Sequence, residues 1–185
     1  MVGLVTDFSL ELVIPDDLVV GRTTLFYPGS SIGNFTPANA TLFLKQMRRH
    51  TKGGGLLIGV DAKKDKRRLD AAYADALGVT AAFNLNALRH VNRVIASDFD
   101  EAQWRHVGTY NEQLGRVEMY LESVADQNVQ IDGKARGFAK GERIHSENSY
   151  KYTQAEFDSM LREAGFSDIS VWTDRAQAFW VFYAR

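Results

Sequence analysis

The chain has 185 residues, of which 45% are hydrophobic and 24% charged, and its formal net charge is −1. These values are typical of a globular protein with one good-sized domain, or with a domain and a small insert. A charge so close to zero gives no indication of a nucleic-acid or membrane-surface partner. The absence of cysteine excludes disulfide and thiol chemistry, and the four histidines show no metal-ligand spacing. We expect no metal and no membrane span, and a cytoplasmic location is the default because no signal peptide is recognisable.

Two short runs near the start of the chain predict strands. Residues 2–6 favour β structure and end at Asp7 and Phe8, and residues 22–27 lead into a glycine-containing loop. A carboxylate beside an aromatic ring can bind adenine, with Asp7 accepting a hydrogen bond from the exocyclic amine. A strand end with no ligand explains this pair equally well.

The loop at residues 26–37 is followed by residues 37–49, in which apolar side chains recur at helical spacing. Thr36 is the expected N-cap of that helix. In open α/β sheets, ligands bind at the carboxyl ends of the strands. Gly29 lets another molecule approach the backbone closely, and Ser30 adds a short side chain that can donate and accept hydrogen bonds. An ordinary βα turn is the plainer interpretation.

The middle of the chain changes character after a buried strand. Residues 56–60 are apolar on both faces, as expected of a parallel strand, and Asp61 closes it. Residues 69–76 and 80–95 have helical periodicity, and we expect Gly78 to end the first of these helices. Short antiparallel strands are predicted at residues 117–123, 128–131 and 136–140.

The last part of the chain resumes an α/β pattern. Thr153 and Glu156 form a capping box for a helix at residues 154–164, and two strands are predicted after it, at residues 167–172 and 178–183. We therefore predict one α/β domain made of residues 1–62 and 151–185. An α+β insert, residues 63–150, interrupts it.

One polar segment lies near the end of the insert. If residues 144–150 are extended, His145, Glu147 and Ser149 share one face. A carboxylate beside a hydroxyl is a natural receptor for a polar ring with N–H and N positions. A surface strand with scattered polar residues is the alternative, just as Tyr73, in an apolar helix stripe, is more simply a core tyrosine.

Four stretches of the sequence resemble the carboxyl-terminal part of the histidine-specific, S-adenosylmethionine-dependent methyltransferases, which make hercynine on the way to ergothioneine. They are Thr-Asp-Phe at residues 6–8, Pro-Gly-Ser-Ser-Ile-Gly-Asn-Phe at 28–35, residues 70–86 with Gly-Val-Thr-Ala-Ala-Phe-Asn, and Arg-Val-Glu-Met at 116–119 with Ser-Glu-Asn-Ser at 146–149. The resemblance covers nearly the whole chain in order. It implies an α/β fold, with a partial Rossmann-like class I methyltransferase sheet and an inserted α+β substrate-binding block.

The resemblance also implies roles for individual residues. The substrate L-histidine would be held at its α-carboxylate and amine by Asn34 and Tyr73, at its imidazole by Glu147 and Ser149, and along its ring by Met119. The cofactor S-adenosylmethionine would have its adenine between Asp7 and Phe8, with further contacts from Gly29 and Ser30. No residue is assigned to the chemical step itself, because methyl transfer to an amine mainly requires that the nitrogen be positioned.

The sequence departs from the family in one respect. The 185 residues contain no Glu-x-Gly-x-Gly pattern, which in the family holds the methionine part of the cofactor. We therefore expect the chain to correspond to a fragment that is inactive alone. A non-catalytic binding or interaction module, or a methyltransferase for another small amine, are the alternatives, although Glu147 and Ser149 favour histidine. The family's strand order places the strand ending at Tyr27 at an exposed sheet edge, which predicts either self-association or pairing with residues 2–7.

Overall fold

The computed structural model describes residues 2–7, 12–19 and 21–185. These residues form two compact units. Unit 1 comprises the described residues up to Lys63 together with Tyr150–Arg185, and unit 2 comprises Lys64–Ser149. Within the described ranges, no helix is long and apolar enough to cross a membrane. The same residues contain no cluster of three or more side chains suited to hold a metal ion.

A four-stranded sheet forms the centre of unit 1. Its strands, in spatial order, are β1 (Thr24–Tyr27), β2 (Gly55–Asp61), β9 (Phe179–Ala184) and β8 (Ile169–Thr173). β1 and β2 run parallel, whereas β9 is antiparallel to both of its neighbours. Most residues of β2 are buried, which confirms the prediction of a strand covered on both faces.

Two helices cover this sheet, and both begin with the caps expected from the sequence. Helix α1 (Pro37–His50) starts after Thr36, whose side chain accepts a hydrogen bond from the backbone of the first turn. Helix α4 (Gln154–Glu163) starts with the reciprocal capping box of Thr153 and Glu156. The apolar faces of the helices pack with the sheet in one cluster that includes Phe43, Leu44, Ile58, Phe157, Leu161 and Phe182.

Unit 2 combines two helices with two small sheets. The helices are α2 (Lys66–Tyr73) and α3 (Val79–Ile95). The three-stranded sheet has the spatial order β3 (Trp104–Asn111), β4 (Arg116–Ser123) and β7 (Arg143–Tyr150). The second sheet is formed by β5 (Gln127–Ile131) and β6 (Lys134–Phe138). One apolar cluster includes Leu88 and Trp104, and a second includes Leu69 and Met119. These clusters join the helices to the three-stranded sheet.

Three features differ from the prediction. Residues 2–7 are exposed and form no strand, because a β-favouring run needs a paired neighbour to become one. Helix α2 already ends at Tyr73, and Gly78, at φ +69°, caps the start of α3 instead of ending α2. Strand β3 was not predicted at all.

Strand β1 lies at the edge of its sheet, as the strand order had predicted. Its Phe26 side chain is 68% exposed. Residues 2–7 do not form a ladder with this edge in the structure. Self-association through the edge therefore stays a prediction.

Candidate functional site

The parallel strands β1 and β2 end at the same edge of the sheet, and the loop after β1 is fastened there. The Ser30 hydroxyl oxygen accepts a hydrogen bond from the Asp61 N–H at 2.8 Å. Gly29 has φ +72°, a conformation that favours glycine. The loop therefore has a fixed backbone at the end of the sheet where ligands bind in α/β folds. Ser30, predicted to contact the cofactor, has in this structure the role of a loop anchor.

Asn34 is the last residue of a single 3₁₀ turn, Ser31–Asn34, and it is exposed. The preceding residue, Gly33, packs so closely on Tyr150 that an added Cβ would lie 2.6 Å from the Tyr150 carbonyl oxygen. No side chain fits there without a shift of backbone. This close approach fixes the point of the loop from which the Asn34 amide extends.

A buried ion pair completes this end of unit 1. The Lys151 ammonium lies 3.0 Å from a carboxylate oxygen of Asp61, with the two side chains 1% and 18% exposed. Asp61 is therefore bound through its side chain by Lys151 and through its backbone by Ser30. Sequence reasoning missed Lys151, and the only available signal was a lysine directly after a polar strand.

In unit 2 the structure brings together three of the predicted substrate residues. The Tyr73 hydroxyl donates a hydrogen bond to the Ser149 hydroxyl oxygen at 2.9 Å. Tyr73 also packs against the apolar cluster that contains Met119, which is 4% exposed. A phenol, a serine hydroxyl and a thioether thus lie beside one another on α2, β7 and β4. This mixture of apolar and hydrogen-bonding groups suits a small aromatic ligand with polar edges.

Glu147 lies on β7, two residues before Ser149, and is half-buried. The neighbouring His145 ring is tilted against the Tyr120 ring, with centroids 4.9 Å apart. His145 and Ser149 therefore have different aromatic neighbours, Tyr120 and Tyr73. Ser146 ties β7 to β4 by donating to the Met119 carbonyl oxygen at 3.0 Å.

A second carboxylate, Glu118 on β4, was not predicted as a site residue. It is 8% exposed and accepts hydrogen bonds from the Tyr120 hydroxyl at 2.7 Å and from the Arg116 guanidinium. Burial acts to raise the pKa of Glu118, but these hydrogen bonds and the nearby positive charge outweigh it, so this pKa lies below its ordinary value. The hydrogen bond to Glu118, with burial, raises the pKa of Tyr120. Glu118 is thus kept in its charged form, and the Arg116 guanidinium balances that charge.

The predicted adenine pair is described only in part. Asp7 is exposed and follows residues 4–6, which line an apolar cavity of about 680 Å³ beside β1, whereas Phe8 lies outside the described residues. Such a volume can accommodate a nucleoside. The lining side chains are mostly apolar, and include Leu25, Phe26, Phe43 and Met47. Among the described residues that line the cavity, none has a charged side chain.

The chain is similar to proteins of known function. The chain matches, over residues 1–185, the model of the family described as "Histidine-specific methyltransferase, SAM-dependent". It is 40% identical over 163 residues to the histidine N-alpha-methyltransferase of Mycolicibacterium smegmatis, covering 86% of this chain and 51% of that protein. It is 31% identical over 183 residues to the L-tryptophan methyltransferase trpM of Psilocybe serbica, covering 95% of this chain and 49% of that protein.

The fold is also that of a solved structure. The CcbJ methyltransferase from Streptomyces caelestis superposes with a TM-score of 0.50 at 11% identity, covering 98% of this chain and 62% of that one. This likeness confirms the predicted α/β class and the Rossmann-like sheet. The chain spans about half the length of the curated relatives it matches.

Proposed function

Because the chain belongs to the family of histidine-specific, S-adenosylmethionine-dependent methyltransferases, we propose that it carries the histidine-binding residues of an enzyme that trimethylates the α-amine of histidine. The product would be hercynine, the precursor of ergothioneine. The observation that carries the proposal is the hydrogen bond between Tyr73 and Ser149 beside the buried Met119. Residues 64–149 are, on this proposal, the substrate-binding block.

The recognition of the imidazole follows from donors and acceptors. A neutral imidazole has one N–H donor and one nitrogen acceptor. The Glu147 carboxylate accepts from the N–H, and Ser149, which itself accepts from Tyr73, donates its own hydrogen to the other ring nitrogen. Met119 packs against the ring face. The two ring nitrogens are thereby distinguished by side chains on one strand.

The α-amine end requires positioning more than chemistry. Asn34 and Tyr73 are proposed to bind the α-carboxylate and amine, so that the amine nitrogen keeps its lone pair and points at the methyl donor. S-adenosylmethionine supplies an electrophilic methyl group. Among the residues of this chain, Asp7 accepts a hydrogen bond from the exocyclic amine of adenine, and Gly29 allows the cofactor to approach the loop closely. Catalysis then rests on alignment, with no residue of this chain assigned to move a proton.

The first alternative is a different amine substrate, since one relative carries the name of a tryptophan methyltransferase. The second is a non-catalytic binding module, since the sequence has no Glu-x-Gly-x-Gly pattern. Substrate competition separates them. Histidine binding that tryptophan does not displace excludes tryptophan as the preferred substrate, and hercynine formation once the family's missing cofactor-binding segment is supplied excludes the second alternative.

The proposal is tested by titrating L-histidine into the purified protein by calorimetry, with Glu147→Ala as the variant. A hydrogen bond to a charged group contributes about 1.5–3 kcal/mol, so we expect the affinity for histidine to fall roughly 10- to 150-fold. Glu112→Ala, which removes an exposed carboxylate from the same unit, is the matched control. Equal affinity of Glu147→Ala and the wild type would exclude this role for Glu147.

A second measurement concerns the cofactor. Because the family's Glu-x-Gly-x-Gly pattern, which holds the methionine part of the cofactor, is absent from the 185 residues, we expect this chain alone to bind S-adenosylmethionine weakly and to form no hercynine above the uncatalysed background. A micromolar dissociation constant, or hercynine detected by mass spectrometry, would contradict this expectation.

A further inference from the structure

Helix α2 ends at Tyr73, one of the proposed histidine-binding residues. The last carbonyl groups of any helix lack partners within the helix. The Tyr73 carbonyl oxygen lies 2.7 Å from Nε2 of His106, a half-buried residue of β3. A histidine ring on a neighbouring strand thus satisfies the end of the helix that carries Tyr73.

The neighbours of His106 fix its tautomer. The side-chain nitrogen of Asn84, on α3, lies 2.9 Å from Nδ1 of His106 and also donates to the Tyr120 carbonyl oxygen at 3.1 Å. A carbonyl oxygen accepts only, so the nitrogen of the Asn84 amide faces both groups. Nδ1 of His106 is therefore an acceptor. The ring hydrogen of His106 is therefore on Nε2, and Nε2 donates it to the Tyr73 carbonyl oxygen.

The contact between His106 and the Tyr73 carbonyl oxygen is closely packed against Gly108 of β3. A Cβ added to Gly108, two residues along β3 from His106, would lie 2.9 Å from the Tyr73 carbonyl oxygen and 3.1 Å from Nε2 of His106. Asn84 is 5% exposed, so its amide is held away from solvent. The strand therefore has a glycine where the end of α2 and the imidazole need the space.

Tyr73 is consequently fixed at two points, at its carbonyl by His106 and at its hydroxyl by Ser149. We infer that Asn84 and His106 are positioning residues for histidine binding, which hold the Tyr73 side chain in its place beside Ser149. They act through Tyr73 and do not touch the substrate. This inference rests on the proposed function, because it assigns the network to the same site.

The test measures L-histidine affinity by calorimetry for His106→Phe, which keeps a planar ring and removes both ring nitrogens. Loss of one neutral hydrogen bond that orients Tyr73 should weaken histidine binding roughly 5- to 10-fold. His106→Gln, whose amide can still donate to the carbonyl, should recover most of that loss. His90→Phe, at an exposed position of α3, makes the same substitution elsewhere in the unit and should bind as the wild type does.

A double variant distinguishes positioning from a general loss of stability. If His106 acts through Tyr73, His106→Phe should cause no additional loss of affinity in a Tyr73→Phe background. A further independent loss in that background would overturn the inference. So would wild-type affinity in the single variant His106→Phe.

A spectroscopic measurement on the wild type does not depend on whether a variant folds. In long-range ¹H–¹⁵N spectra, the His106 ring of the wild type should show a protonated Nε2 and an unprotonated Nδ1. The opposite tautomer would overturn the inference even if histidine binds. If the wild type bound no histidine at all, the proposed function would fail and the positioning role with it, whereas binding unaffected by His106→Phe would remove the positioning role alone.

Discussion

Removing the charge of Asp61 should destabilise the protein more than removing the charge of Lys151. The two groups form an ion pair at 3.0 Å, in which the Lys151 side chain is 1% exposed and the Asp61 side chain 18% exposed. Asp61→Asn leaves the more deeply buried charge without its counter-ion. Lys151→Met leaves a carboxylate that water reaches in part, and a methionine of similar length fills the space of the lysine stem.

The magnitude follows from the distance and the burial. At an effective dielectric constant of about 20, two unit charges at this separation attract by about 5.5 kcal/mol, of which desolvation offsets a part. We expect Asp61→Asn to lower the free energy of unfolding by about 3–5 kcal/mol, the range for breaking buried pairs. We expect about 1–3 kcal/mol for Lys151→Met, and little more than that for the double variant.

The assay is urea unfolding followed by far-ultraviolet circular dichroism, with the four proteins arranged as a double-mutant cycle. Lys45 and Glu163 provide the control, since they form a pair at the same 3.0 Å on the surface of unit 1, with side chains 39% and 64% exposed. Lys45→Met should cost no more than about 1 kcal/mol. The reasoning is refuted if Asp61→Asn is no more destabilising than Lys45→Met, or if the effects of the Asp61 and Lys151 substitutions simply add.

Three further predictions follow from single contacts. Gly33→Ala should lower the melting temperature and displace the loop, because its Cβ would meet the Tyr150 backbone. Gly3→Ala, at an exposed position with open space and no left-handed backbone, is the control, and equal melting temperatures of Gly33→Ala and the wild type would show that the loop adapts. Burial acts to raise the pKa of Asp70, but hydrogen bonds from Lys66 and a backbone N–H outweigh it and lower this pKa below 3.8. The stability from Asp70 should be complete above about pH 4 and lost as the pH falls through the lowered pKa, a loss that Asp70→Asn should lack in acid titrations of the urea midpoint. Light scattering at micromolar concentration should show self-association through the β1 edge, weakened by Phe26→Lys, and a monomer at all concentrations would contradict this.

The sequence patterns predicted those elements whose signal is local. Apolar periodicity and capping residues predicted α1 and α4, and a continuous apolar run predicted β2. Residues 2–6 show the limit of such reasoning, because a strand depends on a neighbour that a local pattern does not contain. Helix α2 ends at Tyr73, before Gly78, and its last carbonyl is bound by His106, a residue far along the chain that a local pattern does not contain.

Strand β3 could not be recognised, for a related reason. Its sequence, Trp-Arg-His-Val-Gly-Thr-Tyr-Asn, has a central glycine and an imidazole where a strand would favour β-branched or aromatic side chains. In the structure, Gly108 and His106 are used for the contact with Tyr73. Local rules tend to fail where residues serve a site, and on the inferred role of His106 this strand is an example. The buried ion pair of Asp61 and Lys151 could not be predicted from the sequence either, since charged residues are rarely so buried.

The proposed roles of Glu147 and Ser149 also determine which aromatic amino acid the site should prefer. An indole ring has an N–H and no acceptor nitrogen, so it can satisfy the carboxylate of Glu147 but offers nothing to the hydroxyl hydrogen of Ser149. With Tyr73 donating to the oxygen of Ser149, an indole would not offer the hydroxyl hydrogen the acceptor that an imidazole offers. One hydrogen bond contributes about 0.5–1.5 kcal/mol, which corresponds to roughly 2- to 13-fold in affinity. On the proposed roles, histidine is therefore the ring that matches this pair of side chains, and the hydrogen bond from Tyr73 to Ser149 would orient the serine hydroxyl that makes the discrimination.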